Sequence, residues 1–207
     1  GTRTVLGRSY ADAGEQQARA IIHDLVASPA TARHLAMKLA RHFIADDPPP
    51  AIVQRLAETF VRTGGDLPSL YQDLVAAPQA WRSGGVKFKS PWEWAISAQR
   101  AIGRQEVPSA QAVNVMNQLG QPVWRPGSPA GYDDRVATWA APDALLRRVE
   151  VAQRIAAQAG NGVDARLLGP RVLPGELSEA TAGAIARAES GSTALALLLV
   201  SPEFLRR

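Results

Sequence analysis

The chain has 207 residues, 46 % of them hydrophobic, which is long enough for a packed domain and too apolar for a mainly disordered one. No apolar run approaches the ~18–20 residues of a transmembrane helix, and the absence of cysteine excludes disulfides, thiolate nucleophiles and cysteine-held metal centres. The net charge of +4 rests on 20 Arg and 3 Lys, a surplus too dilute for a nucleic-acid footprint unless one face collects it.

In chain order, residues 1–7 read as an extended lead-in, and the start at Gly1 leads us to expect a piece of a longer polypeptide. Apolar residues then recur at helical spacing almost everywhere. Ala13–Ala27 carries Ile21, Ile22, Leu25 and Val26, with His23 expected at an interface beside Asp24. Ser28-Pro29 restarts the chain into Ala30–Ala45, where Leu35, Leu39 and Phe43 form the expected core stripe. Asp46-Asp47 and three prolines end it. Ala51–Arg62 follows, closed by Gly64-Gly65, and Asp66 is positioned to cap Leu67–Ala77.

Arg82-Ser83-Gly84-Gly85 is a polar connector. Ser90 and Pro91 are placed to start a helix over Pro91–Ile102, with Trp92 and Trp94 on different sides of it. Ser109–Leu119 is the next helix, followed by a Gly/Pro-rich loop over Gly120–Thr138. Helices are expected from Pro142 to about Ala159, over Glu179–Glu189 and over Thr193–Val200, with Gly160–Gly175 as a connector. The expectation is an all-α, irregular bundle of about nine helices. We read it as a single helical domain over 1–207, with 82–90 as the place where it would divide. An apolar helix end followed by a small residue and Pro recurs at Pro29, Pro78 and Pro202, at spacings too irregular for a solenoid.

Five ordered segments resemble the bacterial family called domain of unknown function 1800. They are Thr31–Ile44 with Asp46-Asp47-Pro48-Pro49; Gly64-Gly65-Asp66-Leu67 leading to Leu74 and Trp81; Lys87–Glu93; Gly120-Gln121-Pro122 through Trp124, Arg125, Pro126, Pro129, Gly131 and Trp139 to Leu146-Arg147; and Ser201-Pro202-Glu203-Phe204. The resemblance covers nearly the whole chain. It implies a helical fold, a bacterial and exported origin, and a position in the C-terminal half of a longer protein. It implies no established reaction.

Candidate site residues fall in three groups. His34, Lys38, Arg41 and His42 share one face of the Ala30–Ala45 helix and could receive an anion, or a carboxylate from the missing N-terminal half. His34 and His42 lie ~12 Å apart along the axis, too far to share a metal. Lys87 and Lys89 flank Phe88 just before a helix N-terminus that favours anions. Trp124, Arg125, Tyr132, Asp133 and Trp139 combine aromatic bulk with charge, as partner surfaces and sugar clefts do. No nucleophile elbow, phosphate loop or dinucleotide fingerprint occurs, so neither a cofactor nor a metal is expected.

The leading expectation is a partner- or ligand-binding or structural domain that packs on its own N-terminal half or on another protein. One alternative is part of a bacterial enzyme, of hydrolytic or other reaction. The other is a domain binding anionic polymers through an Arg-rich face. The compartment stays open between cytoplasm and periplasm.

Overall fold

A computed structural model describes residues 1–11, 13–81 and 85–207, residue 161 by its backbone alone. The connector residues Arg82, Ser83 and Gly84 lie outside the described set. The chain divides into two compact units, Gly1–Arg82 and Ser83–Arg207. Eleven α-helices account for nearly all the regular structure among the described residues, and one small hairpin joins them.

The first unit opens with that hairpin, β1 (Arg3–Val5) against β2 (Arg8–Tyr10), in the register Arg3↔Tyr10 and Val5↔Arg8. Residues 1–7 were expected to be merely extended. The two-residue turn is Leu6-Gly7, both at positive φ, the geometry that fits the strand twist. Leucine there is not the usual Asn-Gly or Asp-Gly signal, which is why the sequence hides the hairpin. Tyr10 is buried and donates its hydroxyl to Asp24 Oδ2 at 2.8 Å. Arg8 meets the same oxygen at 2.8 Å. Together they fasten the hairpin to α1 (Glu15–Val26). His23 is exposed rather than interfacial, 3.9 Å from Asp24 Oδ1.

Helix α2 (Pro29–Phe43) begins where Ser28 accepts from the Ala30 N–H. Its buried stripe is not the leucines but Ala32, Ala36 and Ala40, continued by Ile44. Leu35 and Phe43 stay exposed, Phe43 by 50 %. Small side chains at i, i+4 and i+8 let two helix axes approach closely. The residues α3 (Pro50–Arg62) brings to this seam, Ile52, Val53 and Leu56, then fill the space. Helix α4 (Leu67–Val75), capped by Asp66 accepting from the Ser69 N–H, adds Leu70 and Leu74. Pro78 opens a 3₁₀ turn, Pro78–Trp81.

A polar clasp joins α3 to α4. Buried Thr59 donates its hydroxyl to Asp73 Oδ2 at 2.5 Å, and Arg55 donates to Oδ1 at 2.8 Å. The Thr59 hydroxyl, then Arg55, hold the Asp73 carboxyl below its ordinary value.

The second unit is built around α11 (Gly191–Leu199), whose Ala194, Leu195, Leu198 and Leu199 are all buried. Around it lie α5 (Pro91–Ala101), α6 (Ser109–Gln118), the short α7 (Val136–Trp139), α8 (Pro142–Ala159), α9 (Ala165–Val172) and α10 (Glu179–Ala186). Ser90 and Glu93 form a reciprocal capping box at the start of α5. Trp94 is buried and donates its indole N–H to Leu199 O at 2.8 Å. Helix α9 occupies a stretch expected to be a connector. Asp164 caps it, and Gly169 lets Leu177 come within 3.1 Å of where a Cβ would sit. Pro170 therefore marks a short helix rather than the lack of one.

The segment before α5 pairs antiparallel with the last residues. Lys87 N–H donates to Arg207 O at 3.1 Å, Arg207 N–H to Lys87 O at 2.9 Å, and Lys89 N–H to Leu205 O at 2.8 Å. Gly85 permits this approach, because a Cβ there would lie 2.8 Å from that of Arg206.

Replacing Asp73 by Ala leaves the buried Thr59 hydroxyl without its acceptor and should cost about 1–3 kcal/mol at pH 7. The folded-state pKa of Asp73 is depressed, so its contribution is present above the ordinary carboxylate value and fades as pH falls below about 4. Urea unfolding of the parent and Asp73→Ala at pH 7 and pH 3 should show the gap between them shrinking in acid.

Candidate functional site

Residues 119–135, which lead into α7, are irregular, yet many of their polar groups are bonded within the fold. Helix α6 ends in a doubly bonded turn, with Gly120 N–H on Asn117 O at 3.2 Å and Gln121 N–H on Met116 O at 2.9 Å. The Gln121 side chain accepts from the Trp92 N–H at 2.9 Å. Tyr132 donates its hydroxyl to Pro122 O. Asp133 accepts from the Asp134 N–H at 2.8 Å and from Thr138 Oγ1 at 2.6 Å, and its carbonyl takes the Trp139 indole N–H at 2.8 Å. The Tyr132 and Trp139 rings lie 6.3 Å apart. These bonds pin a shallow cleft of about 340 Å³ beside the loop, where Tyr132, Asp133 and Trp139 face Asp143 and Arg147. Arg147 is engaged with Asp143 at 3.1 Å.

Lys87 anchors the loop from inside the core. Its side chain is buried, and Nζ donates to Asp134 O at 2.6 Å with Asp134 Oδ1 at 3.4 Å. Lys89 takes a different partner. It donates to Phe204 O at 2.8 Å and sits over the Phe204 ring, 4.4 Å from its centroid. Burial pushes the Lys89 ammonium down to about 8, against the opposing pull of Glu93. The two lysines flanking Phe88 thus serve separate attachments and do not converge on one anion.

Two loop residues remain outside this network. Trp124 is 95 % exposed and has φ +58°. It occupies the third position of a turn closed by Arg125 N–H on Pro122 O at 3.3 Å, a place that glycine ordinarily fills. Arg125 is exposed beside it, and its side chain has neither an ion pair nor a hydrogen bond among the described residues.

The other candidates lie on α2 of the first unit. His34, Lys38 and His42 are exposed there, and His42 packs edge-on against Phe43 at 4.7 Å. Arg41 Nε donates to Asp46 O at 3.0 Å, so the cation that follows this helix face is turned to the acidic loop's backbone. Among the described residues, no group of three or more His, Cys, Asp or Glu is placed to hold a metal ion.

Arg148 escaped the sequence reading. It is 1 % exposed and donates Nη2 to Lys89 O at 2.6 Å. Its guanidinium lies 4.7 Å from the Phe88 ring centroid and 5.9 Å from that of Trp94. Nη1 is buried with no hydrogen-bond partner. Burial lowers its pKa to about 10, against the pull of Glu93, which leaves it charged at neutral pH. The signal was there: Arg148 is in register with Val151, Ala152, Ile155 and Ala156, the buried face of α8.

Two outcomes follow. Lys87→Met should speed hydrogen exchange of amides 132–139 well beyond that of α11, and unchanged protection would remove Lys87 as the loop's anchor. The folded-state pKa of Lys89 lies below its unfolded value near 10.4, so the folded chain sheds that proton first. Stability relative to Lys89→Met should therefore rise between about pH 8 and pH 10.4, as read by denaturant unfolding across that range.

No curated protein and no solved structure matches the chain. A family model described as protein of unknown function (DUF1800) matches residues 1–206. Together with the ordered motifs and the helical architecture, that match of nearly the whole length shows that the chain belongs to this family.

Proposed function

We propose that this chain is a helical recognition domain that engages a protein partner through the tip of the 120–139 loop. The first partner to consider is the N-terminal half of its own longer polypeptide. Trp124 carries the proposal. A non-glycine residue in the left-handed region costs of order 1–3 kcal/mol, and a fully exposed indole returns nothing to the isolated fold. Leu6 shares both traits, but Trp124 adds a large amphipathic ring suited to a partner surface. Trp and Arg are among the residues most enriched at binding hot spots, and here they are adjacent, on a turn tied down by the Tyr132 hydroxyl bonded to Pro122 O.

Helix α1 supports the same reading for the first unit. It buries none of its residues, and Ile22, Leu25 and Val26 stay exposed along it. An apolar helix face left open is characteristic of a docking element.

Trp124→Gly separates recognition from stability. It relieves the backbone strain, so the variant should melt at the same temperature or higher. Binding to the separately expressed N-terminal half, measured by calorimetry, should weaken at least tenfold, as for loss of a hot spot. Undiminished binding, or a lowered melting temperature, would overturn the proposal.

A further inference from the structure

A second concavity, independent of the loop tip, lies between α5 and α6. Its volume is about 280 Å³, that of some nine water molecules at liquid density and near the lower end of small-ligand pockets. The lining is mainly apolar, from Ala95 and Ile96 on α5, Val115 and Met116 on α6, and Val107 between them. Trp92, half exposed, stands at one end.

The other end is basic. Helix α5 closes in a left-handed turn at Gly103, where Gly103 N–H donates to Arg100 O and Arg104 N–H to Gln99 O, both at 3.0 Å. This pair of bonds is the Schellman arrangement. It folds the chain back so that Arg100 and Arg104 both line the groove. Among the described residues neither guanidinium has an ion pair or a side-chain hydrogen bond, although the chain pairs arginine with carboxylates elsewhere, as Arg55 with Asp73 and Arg207 with Glu93. Gln99, on the same wall, buries its Oε1 without any donor. A buried acceptor left unmet is costly, and a turn of the Gln99 side chain toward a ligand N–H in the groove would remove that cost.

We propose that this groove binds a small amphipathic monocarboxylate bearing an N–H donor, the class of N-acyl hydrophobic amino acids. The apolar group lies on Ile96, Val115 and Met116, the amide N–H meets Gln99 Oε1, and the carboxylate is held by Arg100 and Arg104. Monovalence follows from position. The basic end sits at the C-terminus of α5, whose partial negative charge opposes a dianion such as phosphate. Arginine also suits a planar carboxylate, which its fork can meet with two parallel bonds.

The test is a titration of the whole chain with N-acetyl-L-phenylalanine, followed by methyl NMR of Ile96, Val115 and Met116. Saturable shifts confined to these methyls are expected. The carboxamide analogue, which lacks the charge, and 3-phenylpropionate, which lacks the N–H, should each bind about tenfold more weakly. Arg100→Gln and Arg104→Gln should weaken the parent ligand to a similar degree without moving the melting temperature, since both side chains lie at the rim. Gln99→Leu should abolish the preference for N-acetyl-L-phenylalanine over 3-phenylpropionate. Absence of saturable shifts, equal binding of the carboxamide, or tighter binding of inorganic phosphate would overturn the assignment.

Discussion

Arg148 is a charge buried where the periodicity of α8 calls for an aliphatic residue. Removing a guanidinium from water is expensive unless the site returns hydrogen bonds and favourable contacts. Here the return is one short bond to the Lys89 carbonyl and the faces of Phe88 and Trp94. Those partners belong to the segment that leads into α5 and, with Trp94, to the first turn of α5 itself. The ion therefore holds that segment against α8, and much else in the second unit hangs from the same few residues. The backbone of 87–89 pairs with 205–207, the side chain of Lys87 fixes the 120–139 loop, and Lys89 closes over Phe204. The presentation of Trp124 is thus continuous, through Asp134 and Lys87, with the packing of α8.

The lysines at 87 and 89 suit the space they occupy. In a chain that uses arginine almost throughout, two of the three lysines stand at 87 and 89. Both donate to a backbone carbonyl, Asp134 O and Phe204 O. A compact ammonium can point into a narrow space at one acceptor, whereas a planar fork demands room for several. Arg148 also reaches one carbonyl, but its flat guanidinium lies over the faces of both Phe88 and Trp94, which a compact ammonium could not cover together.

Local signals were readable from the residues themselves. Ser28, Asp66 and Ser90 cap the helices that follow them, and Gly64-Gly65 closes one, because caps depend on neighbours in sequence. What was hidden depended on partners distant in sequence. The buried side of α2 is its alanine side because α3 approaches there, and nothing within residues 29–43 announces this. The Leu6-Gly7 turn and the Pro-containing α9 carry residues that argue against the structures they adopt. In the loop, the aromatic residues were recognised as a set, but the set divides. Tyr132 and Trp139 are spent holding the loop together, while Trp124 is displayed. Composition cannot separate these roles, since the distinction lies in which carbonyl each ring reaches.

The pairing of residues 85–89 with 205–207 has a topological meaning. The chain enters and leaves the second unit side by side, so the seven helices between them form a closed circuit. Polypeptide attached at either end starts from one point on the surface. Within the unit, the two ends are tied to each other, so its seven helices are held as one loop closed by backbone hydrogen bonds.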